Sequence, residues 1–210
     1  MAEKPLRKEP KQARSRALVQ SILEAAGDLL GKGSENPNDI PVQRIAERAG
    51  VGIGSVYDYF SNGDGVWAGF LSWITERNFV ALEQKAVGER FSDRLPDMVD
   101  GALDLYLGSP ARTRGVALTI VRFGWVKRVV EERDRFARML AARLGKELTH
   151  IPQARLDLLS EVLCDAMMGV VMGELWRERS DEARVQVRSQ LRGLVTREVN
   201  ALKSEFAAPE

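Results

Sequence analysis

The sequence is short of the residues that build disulfides, metal centres and many active sites. His150 is the only histidine and Cys164 the only cysteine among 210 residues. One cysteine cannot form a disulfide within the chain, and the two residues together cannot supply a His/Cys metal cluster. A nucleophile-histidine triad would depend on His150, which lies in a predicted loop. We therefore expect no catalytic residues, no metal and no cofactor, and a protein that is not an enzyme.

Long apolar runs and a strong excess of one charge are also missing. No stretch approaches the roughly 20 apolar residues of a membrane span, and the N-terminus has no apolar signal segment. We expect a cytoplasmic protein without a membrane partner, and a single cysteine fits a reducing compartment. The 31 basic and 30 acidic side chains give a net charge of +1, so any surface for a polyanion must be local.

The apolar residues recur at helical spacing, and no segment alternates as a strand does. The predicted fold class is all-α, with about nine helices. Glycine and proline predict the breaks, including one from Gly88 to Pro96 between the fourth and fifth helices. The nearly continuous apolar run over residues 117–125 predicts a buried segment.

Residues 42–60 have the pattern of a helix-turn-helix. Four small apolar residues spaced i, i+3, i+4 and i+7 place an apolar face on a helix over residues 42–49. Gly50 follows, where a helix end favours a left-handed residue, and Val51 can pack back between the helices. Val56 and Phe60, four residues apart, then face the first helix from a second one. This second helix is the candidate recognition helix, since a helix fits the major groove of DNA.

These residues resemble the tetracycline-repressor (TetR) family of bacterial transcription regulators. The resemblance is specific over residues 12–75 and architectural beyond them. It implies an N-terminal three-helix head with a helix-turn-helix, joined by a long fourth helix to a C-terminal helical regulatory and dimerisation domain. The matching runs are Ile45 to Val51, Gly54 to Phe60, and Ile22 to Ala26 in the preceding helix.

The candidate DNA contacts follow from the recognition helix and the cations near it. Tyr57 and Tyr59 suit phosphates or thymine, and Ser55 a base or a phosphate. Asp58 could accept from a cytosine amino group, but we expect it to point away from the groove. One departure from the family is Gly63, which occupies the position of a phosphate-binding lysine. The predicted DNA-binding residues are Arg14, Arg44, Ile53, Gly54, Ser55, Tyr57 and Tyr59.

The N-terminal segment is locally basic. Residues 1–17 contain six basic and two acidic side chains, a net charge of +4. Beside a helix-turn-helix such an arm would bind phosphates or the minor groove, although a solvated tail that aids solubility is an equal alternative. The predicted division is a flexible basic arm over 1–12, a DNA-binding domain over 13–62, a ligand-binding and dimerisation domain over 63–203 and a flexible tail over 204–210.

Aromatic and thioether side chains are frequent in the C-terminal part. Such groups fill cores and also line adaptable pockets, and only the family resemblance favours a pocket for a small hydrophobic effector. Thr119, Arg122 and Asp165 are polar residues that could orient a ligand. The predicted ligand-binding residues are Tyr106, Phe123, Trp125, Met139, Met168 and Met172.

Small residues on the eighth helix favour close helix packing. Ala166, Gly169 and Gly173 lie on one face, and packing within the chain explains them as well as dimerisation does. The resemblance implies a four-helix dimer interface from the last two helices, which would include Leu191 and Leu194. A short recognition helix reads only a few base pairs, so specificity calls for a homodimer on a palindromic operator.

The function that these features predict is sequence-specific regulation of transcription. Within the resemblance, the commonest mode is a homodimeric repressor that a small-molecule effector releases from its operator. One alternative is a DNA-binding regulator without a small-molecule ligand, controlled by a protein partner. A helical enzyme is a more remote alternative, because no group of perturbed acids and bases is evident.

Overall fold

The computed structural model describes residues 6–32, 36–85, 90–177 and 179–207. Within these ranges the chain is helical and has no strands, which confirms the predicted fold class. The nine α-helices are α1 Ala13–Lys32, α2 Val42–Ala49, α3 Ile53–Tyr59, α4 Gly63–Lys85, α5 Phe91–Leu107, α6 Pro110–Arg122, α7 Val126–Glu147, α8 Gln153–Trp176 and α9 Asp181–Glu205. None of the described helices combines the length and apolarity needed to cross a bilayer.

The chain divides into two compact units. The first contains the described residues up to Arg77 together with Ser109–Val126, and the second contains Asn78–Gly108 and Lys127 onwards. The first unit is therefore larger than the segment 13–62 predicted for DNA binding. The reason is that α6 packs on α1, and the early part of α4 contributes buried residues to the same core.

The first unit is held together by an apolar core between α1, α2, α3 and α4. Ile22, Ile45, Val56, Phe60 and Phe70 are fully buried within it. Two glycines allow the rings to fit. A Cβ at Gly27 would lie 2.8 Å from the Phe70 ring, and one at Gly69 would lie 2.8 Å from the Phe60 ring. Both distances are shorter than normal carbon contacts, so the helices approach closely at these positions.

The second unit has a separate core to which α5, α7, α8 and α9 contribute. Acidic residues of α5 pair with basic residues of α9 along an antiparallel run: Lys203 with Asp93 at 3.0 Å, Arg192 with Asp97 and Asp100, and Arg188 with Asp104 at 2.7 Å. Lys203 also lowers the pKa of the Asp93 carboxyl. Exposed pairs of this kind contribute little to stability individually, so the apolar core carries most of the packing energy.

Two of the predictions on packing are wrong. α5 begins at Phe91, so Pro96 lies inside the helix and does not precede it. Proline removes one backbone hydrogen-bond donor, which lowers the stability of the helix. Burial of Phe91 and Leu95 on the core side outweighs this loss of stability near the helix start. The run over residues 117–125 is not uniformly buried, because Leu118 and Val121 are 39% and 70% exposed.

Candidate nucleic-acid interface

The turn between α2 and α3 is built as the sequence predicts. Gly50 has a left-handed backbone with φ of 70°. Its N–H donates to the Glu47 carbonyl, and the N–H of Val51 donates to the Ala46 carbonyl at 3.0 Å. These two hydrogen bonds are typical of a helix that ends at a left-handed glycine. They satisfy two of the last backbone carbonyls of α2. Val51 packs against the core of the first unit, so α3 is set at a defined angle to α2.

α3 buries one side and exposes the other. Val56 and Phe60 are fully buried and hold the helix on the core. The opposite side carries Ile53, Gly54, Tyr57 and Asp58, all exposed, and these four residues are named the α3 face. They lie at relative positions i, i+1, i+4 and i+5, within about one and a half helical turns, so they form one continuous surface.

The α3 face contains three of the predicted DNA-binding residues, namely Ile53, Gly54 and Tyr57. Ser55 and Tyr59 are half-buried and flank the face. Tyr59 packs against the core of the first unit. Asp58 is exposed, as Tyr57 is.

Two other helices of the first unit carry exposed arginines. Arg44 on α2 and Arg14 on α1 are exposed, and neither side chain has a recorded hydrogen bond or ion pair within the described ranges. Arg48, by contrast, pairs with Asp28 at 2.5 Å. Arg14 and Arg44 therefore retain all their guanidinium donors, and charge-assisted hydrogen bonds to phosphate use such donors.

The basic arm contacts the end of α3. The backbone N–H of Arg7 donates to the Tyr59 carbonyl at 2.8 Å, and Leu6 packs against the core of the first unit. Residues 1–5 of the predicted flexible arm lie outside the described residues. The carbonyl of Tyr59 belongs to the last turn of a helix and has no helical partner, which explains why it accepts from the arm. The exposed side chains of Arg7 and Lys8 consequently start beside α3.

The predicted ligand-binding residues do not form one cluster. Tyr106 and Met139 pack against the core of the second unit, Met168 is half-buried and Met172 is exposed. Phe123 packs in the first unit, where the Arg122 guanidinium lies 5.1 Å from its ring centre, and Trp125 belongs to the same unit. The six residues are thus distributed over both units.

The polar residues suggested for ligand contact already have partners. Thr119 donates to the Gly115 carbonyl at 2.6 Å. Arg122 pairs with Asp64 at 2.5 Å, and Asp165 pairs with Arg133. Each of these three side chains therefore already uses part of its hydrogen-bonding capacity within the chain.

A different set of polar groups is buried in the second unit. The Tyr106 phenol hydrogen-bonds Asn78, and burial raises its pKa. Cys164 lies close enough to influence that phenol. Ser160 is fully buried one turn before Cys164, and its hydroxyl has no recorded partner in the described part of the chain. The sequence reasoning missed Asn78 and Ser160, although a serine one turn from the buried cysteine was a usable signal.

Cys164 is expected to be almost inert towards thiol reagents in the native protein. It is 9% exposed, and burial raises the pKa of its thiol to about 12. Because the thiolate is the reactive form, its fraction at pH 8 falls about 1,000-fold relative to an ordinary thiol. Iodoacetamide labelling followed by mass spectrometry should be slow in buffer and rapid in guanidinium chloride. A Cys164→Ala protein carrying Ser204→Cys provides the exposed-thiol control, and fast native labelling of Cys164 would contradict the prediction.

The exposed side of α8 carries a stripe of apolar residues. This set is named the α8 stripe, and its members recur at intervals of three, four or seven residues. They are Leu158, Val162, Gly169, Met172 and Trp176. Its four larger side chains are 57%, 51%, 37% and 59% exposed in that order. A Cβ at Gly169 would meet no other atom within 4 Å. The stripe is the largest run of exposed apolar residues on a single described helix.

The predicted interface residues only partly coincide with this stripe. Gly169 belongs to it, while Ala166 and Gly173 lie half-buried at its edge. Leu191 is 6% exposed and belongs to the core of the second unit, with Leu194 packed against that core. Leu191 therefore has little surface left for a second copy, because the chain has already buried it.

Comparison with known proteins identifies the fold. No family profile matches the sequence, and no curated protein is significantly similar. Solved structures do match. A protein assigned as a TetR-family transcriptional regulator from Mesorhizobium loti is 16% identical with a TM-score of 0.66, covering 94% of this chain and 100% of that one. The chain has the fold of the TetR-family regulators.

Two further solved structures match this chain over nearly their whole length. A transcriptional regulator from Rhodococcus sp. RHA1 is 15% identical with a TM-score of 0.61, covering 91% of this chain and 99% of that one. The TetR-family repressor AlkX from Dietzia sp. is 14% identical with a TM-score of 0.55, covering 87% and 97%. The shared TetR fold thus extends over both units.

Gly63 is the point where this TetR-fold chain departs from the lysine that the sequence resemblance implies. It is the first residue of α4, which Asn62 caps by accepting from the Gly65 N–H at 2.8 Å. A Cβ at Gly63 would lie 3.2 Å from Cγ2 of Val42 at the start of α2. The two helix starts approach closely, and any side chain here requires a small displacement of Val42.

Replacing Gly63 with lysine is expected to add a phosphate contact. Each contact steepens the dependence of log K on log salt by about 0.9, so two half-sites would add about 1.8 to the slope. Fluorescence anisotropy over a range of salt concentrations measures it. Gly63→Ala is the matched control, because it brings the Cβ near Val42 without the charge. An unchanged slope in Gly63→Lys would show that a side chain at this position does not reach the backbone of DNA.

Proposed function

We propose that the protein is a sequence-specific DNA-binding regulator of transcription. The observation that carries the proposal is the α3 face, an exposed helix surface held in place by the buried Val56 and Phe60. A helix presented in this way can enter the major groove with its side chains against base edges. Arg44 and Arg14, exposed nearby in the same unit, are suited to phosphates. The similar solved structures, all described as regulators, support the same reading.

The proposed active form is a homodimer. α3 has only seven residues and reads a few base pairs, so specific binding calls for two half-sites about one DNA turn apart on a palindromic operator. The α8 stripe supplies an apolar surface that a second copy of the same helix could cover. Gly169 at its centre would let two backbones approach closely.

The proposed regulation is repression relieved by a small hydrophobic effector. The repressor AlkX shares the fold and supports this direction of control. In the second unit, an apolar effector with one hydrogen-bonding group would suit the surroundings of Ser160 and the Tyr106 phenol. α4 has residues in both units, and an effector that prefers one arrangement of the dimer would change the separation of the two α3 helices.

The first test is a salt titration of purified protein on a fluorescent duplex from its own upstream region. A scrambled duplex is the competitor, and Tyr57→Ala and Val121→Ala are the variants. We expect the native duplex to bind about 1,000-fold more tightly than the scrambled one, with this preference lost in Tyr57→Ala. Val121 is exposed in the same unit but belongs to α6, outside the helix-turn-helix, so its variant should bind normally. Equal weak binding to both duplexes by every protein would contradict the proposal.

The effector is tested separately by screening small apolar compounds for a rise in the melting temperature. A ligand that binds only the folded protein raises the apparent stability by an amount set by its concentration and Kd. The same compound should release the labelled operator. A protein partner that releases the operator when no compound does would favour control without a small-molecule effector.

A further inference from the structure

The α3 face has no positive charge and no side-chain amide. Its groups are the Ile53 methyls, the backbone at Gly54, the Tyr57 phenol and the Asp58 carboxylate. The whole helix, Ile53–Tyr59, contains no arginine, lysine, asparagine or glutamine. The common bidentate contact to guanine requires arginine or lysine, and that to adenine requires asparagine or glutamine. α3 therefore cannot make either contact.

Asp58 is the one ionised group on this face. It is exposed, and among the described residues no hydrogen bond or ion pair is recorded for its side chain. A carboxylate brought next to DNA loses hydration and is repelled by phosphates. It is accommodated only where a donor replaces the lost water, and in the major groove the donors are the amino groups of cytosine and adenine.

Cytosine satisfies this requirement better than adenine. The cytosine amino group has a C–H on one side and the guanine O6 acceptor on the other. The adenine amino group lies between two acceptors, its own N7 and the thymine O4, and both would repel a carboxylate. Guanine presents acceptors alone, and thymine presents an acceptor and a methyl. A carboxylate on the reading surface thus favours cytosine over the other three bases.

We infer that Asp58 determines specificity by reading a cytosine in each operator half-site, while Ile53 and Tyr57 contact a nearby thymine methyl. This inference rests on the proposed DNA-binding function. Ile53 and Asp58 are five residues apart, about 7.5 Å along the helix axis. The cytosine and the thymine therefore lie within about two base pairs of each other, given the 3.4 Å rise per base along a strand.

The test is selection of binding sequences from a random duplex pool by the full-length protein, followed by competition with single-base changes. The wild type should enrich a half-site with a fixed cytosine, and replacing that base pair should weaken binding about tenfold. Asp58→Asn keeps the shape but adds a donor, so its preference should move towards adenine. Asp181→Asn removes a negative charge from a 99% exposed side chain in the second unit and serves as the charge-matched control.

The outcomes separate this inference from the proposed function. Enrichment of one sequence by the wild type, with identical base preferences in Asp58→Asn, would overturn the role of Asp58 and leave a specific regulator. A gain in affinity that is equal for Asp58→Asn and Asp181→Asn, without a change of preference, would show a purely electrostatic effect and overturn it as well. No enrichment of any sequence by the wild type would overturn both.

Discussion

Replacing Phe60 with alanine is expected to lower the free energy of unfolding of the first unit by about 3–5 kcal/mol. Phe60 is fully buried at the end of α3, and its ring occupies the space left by the missing side chain of Gly69. Its removal would leave a cavity between α3 and α4 that the glycine cannot fill. Since Phe60 and Val56 hold α3 on the core, specific DNA binding should fall with stability.

Denaturant unfolding followed by circular dichroism measures this loss. Tyr57→Ala is the control, because Tyr57 is 41% exposed on the same helix and should leave the midpoint nearly unchanged while abolishing sequence preference. Gly69→Ala should destabilise the native protein but cost less in a Phe60→Leu background, where the ring no longer occupies that space. If Phe60→Ala unfolds at the same denaturant concentration as the wild type, the contact between α3 and α4 does not support the first unit.

Replacing Val162 with glutamate is expected to convert the proposed dimer into monomers. Val162 lies in the α8 stripe, and a carboxylate placed there would be buried without a partner and would face its own symmetry mate. Burying a carboxylate without a partner costs about 3 kcal/mol of binding free energy. This cost lowers the dimer affinity by more than about 100-fold.

Sedimentation velocity at micromolar concentrations measures the oligomeric state, and operator binding should weaken in parallel. Val121→Glu is the matched control, since it makes the same change at a 70% exposed position in the first unit. A Val162→Glu protein that stays dimeric would place the interface elsewhere, and a wild type that is monomeric would remove the basis for two half-sites.

The local features of the helix-turn-helix could be predicted because each depends on residues close together in the sequence. Gly50 ends α2, since few other residues adopt a left-handed backbone at low cost. Val56 and Phe60 are buried, since four-residue spacing places both on one helical side. The bounds of α2 and α3 follow from the same short-range rules.

Features that depend on partners distant in the sequence could not be predicted. The close approach of Gly63 to Val42 and of Gly69 to Phe60 involves different helices. The apolar residues proposed for one pocket are divided between the two units, because hydrophobicity does not specify which unit a side chain joins. Leu191 has apolar spacing suited to an interface, but α9 turns it towards the core of its own chain.

By itself, the sequence determined the helical class, the helix-turn-helix and the absence of disulfides within the chain, because short-range spacing, backbone preference and residue counts are sufficient for these. Only the tertiary structure decided that Asp58 shares an exposed face with Tyr57, that the basic arm is bonded to the end of α3, and that α8 exposes an apolar stripe. Each of these depends on which helix sides are covered by others, and burial is a property of the packed chain.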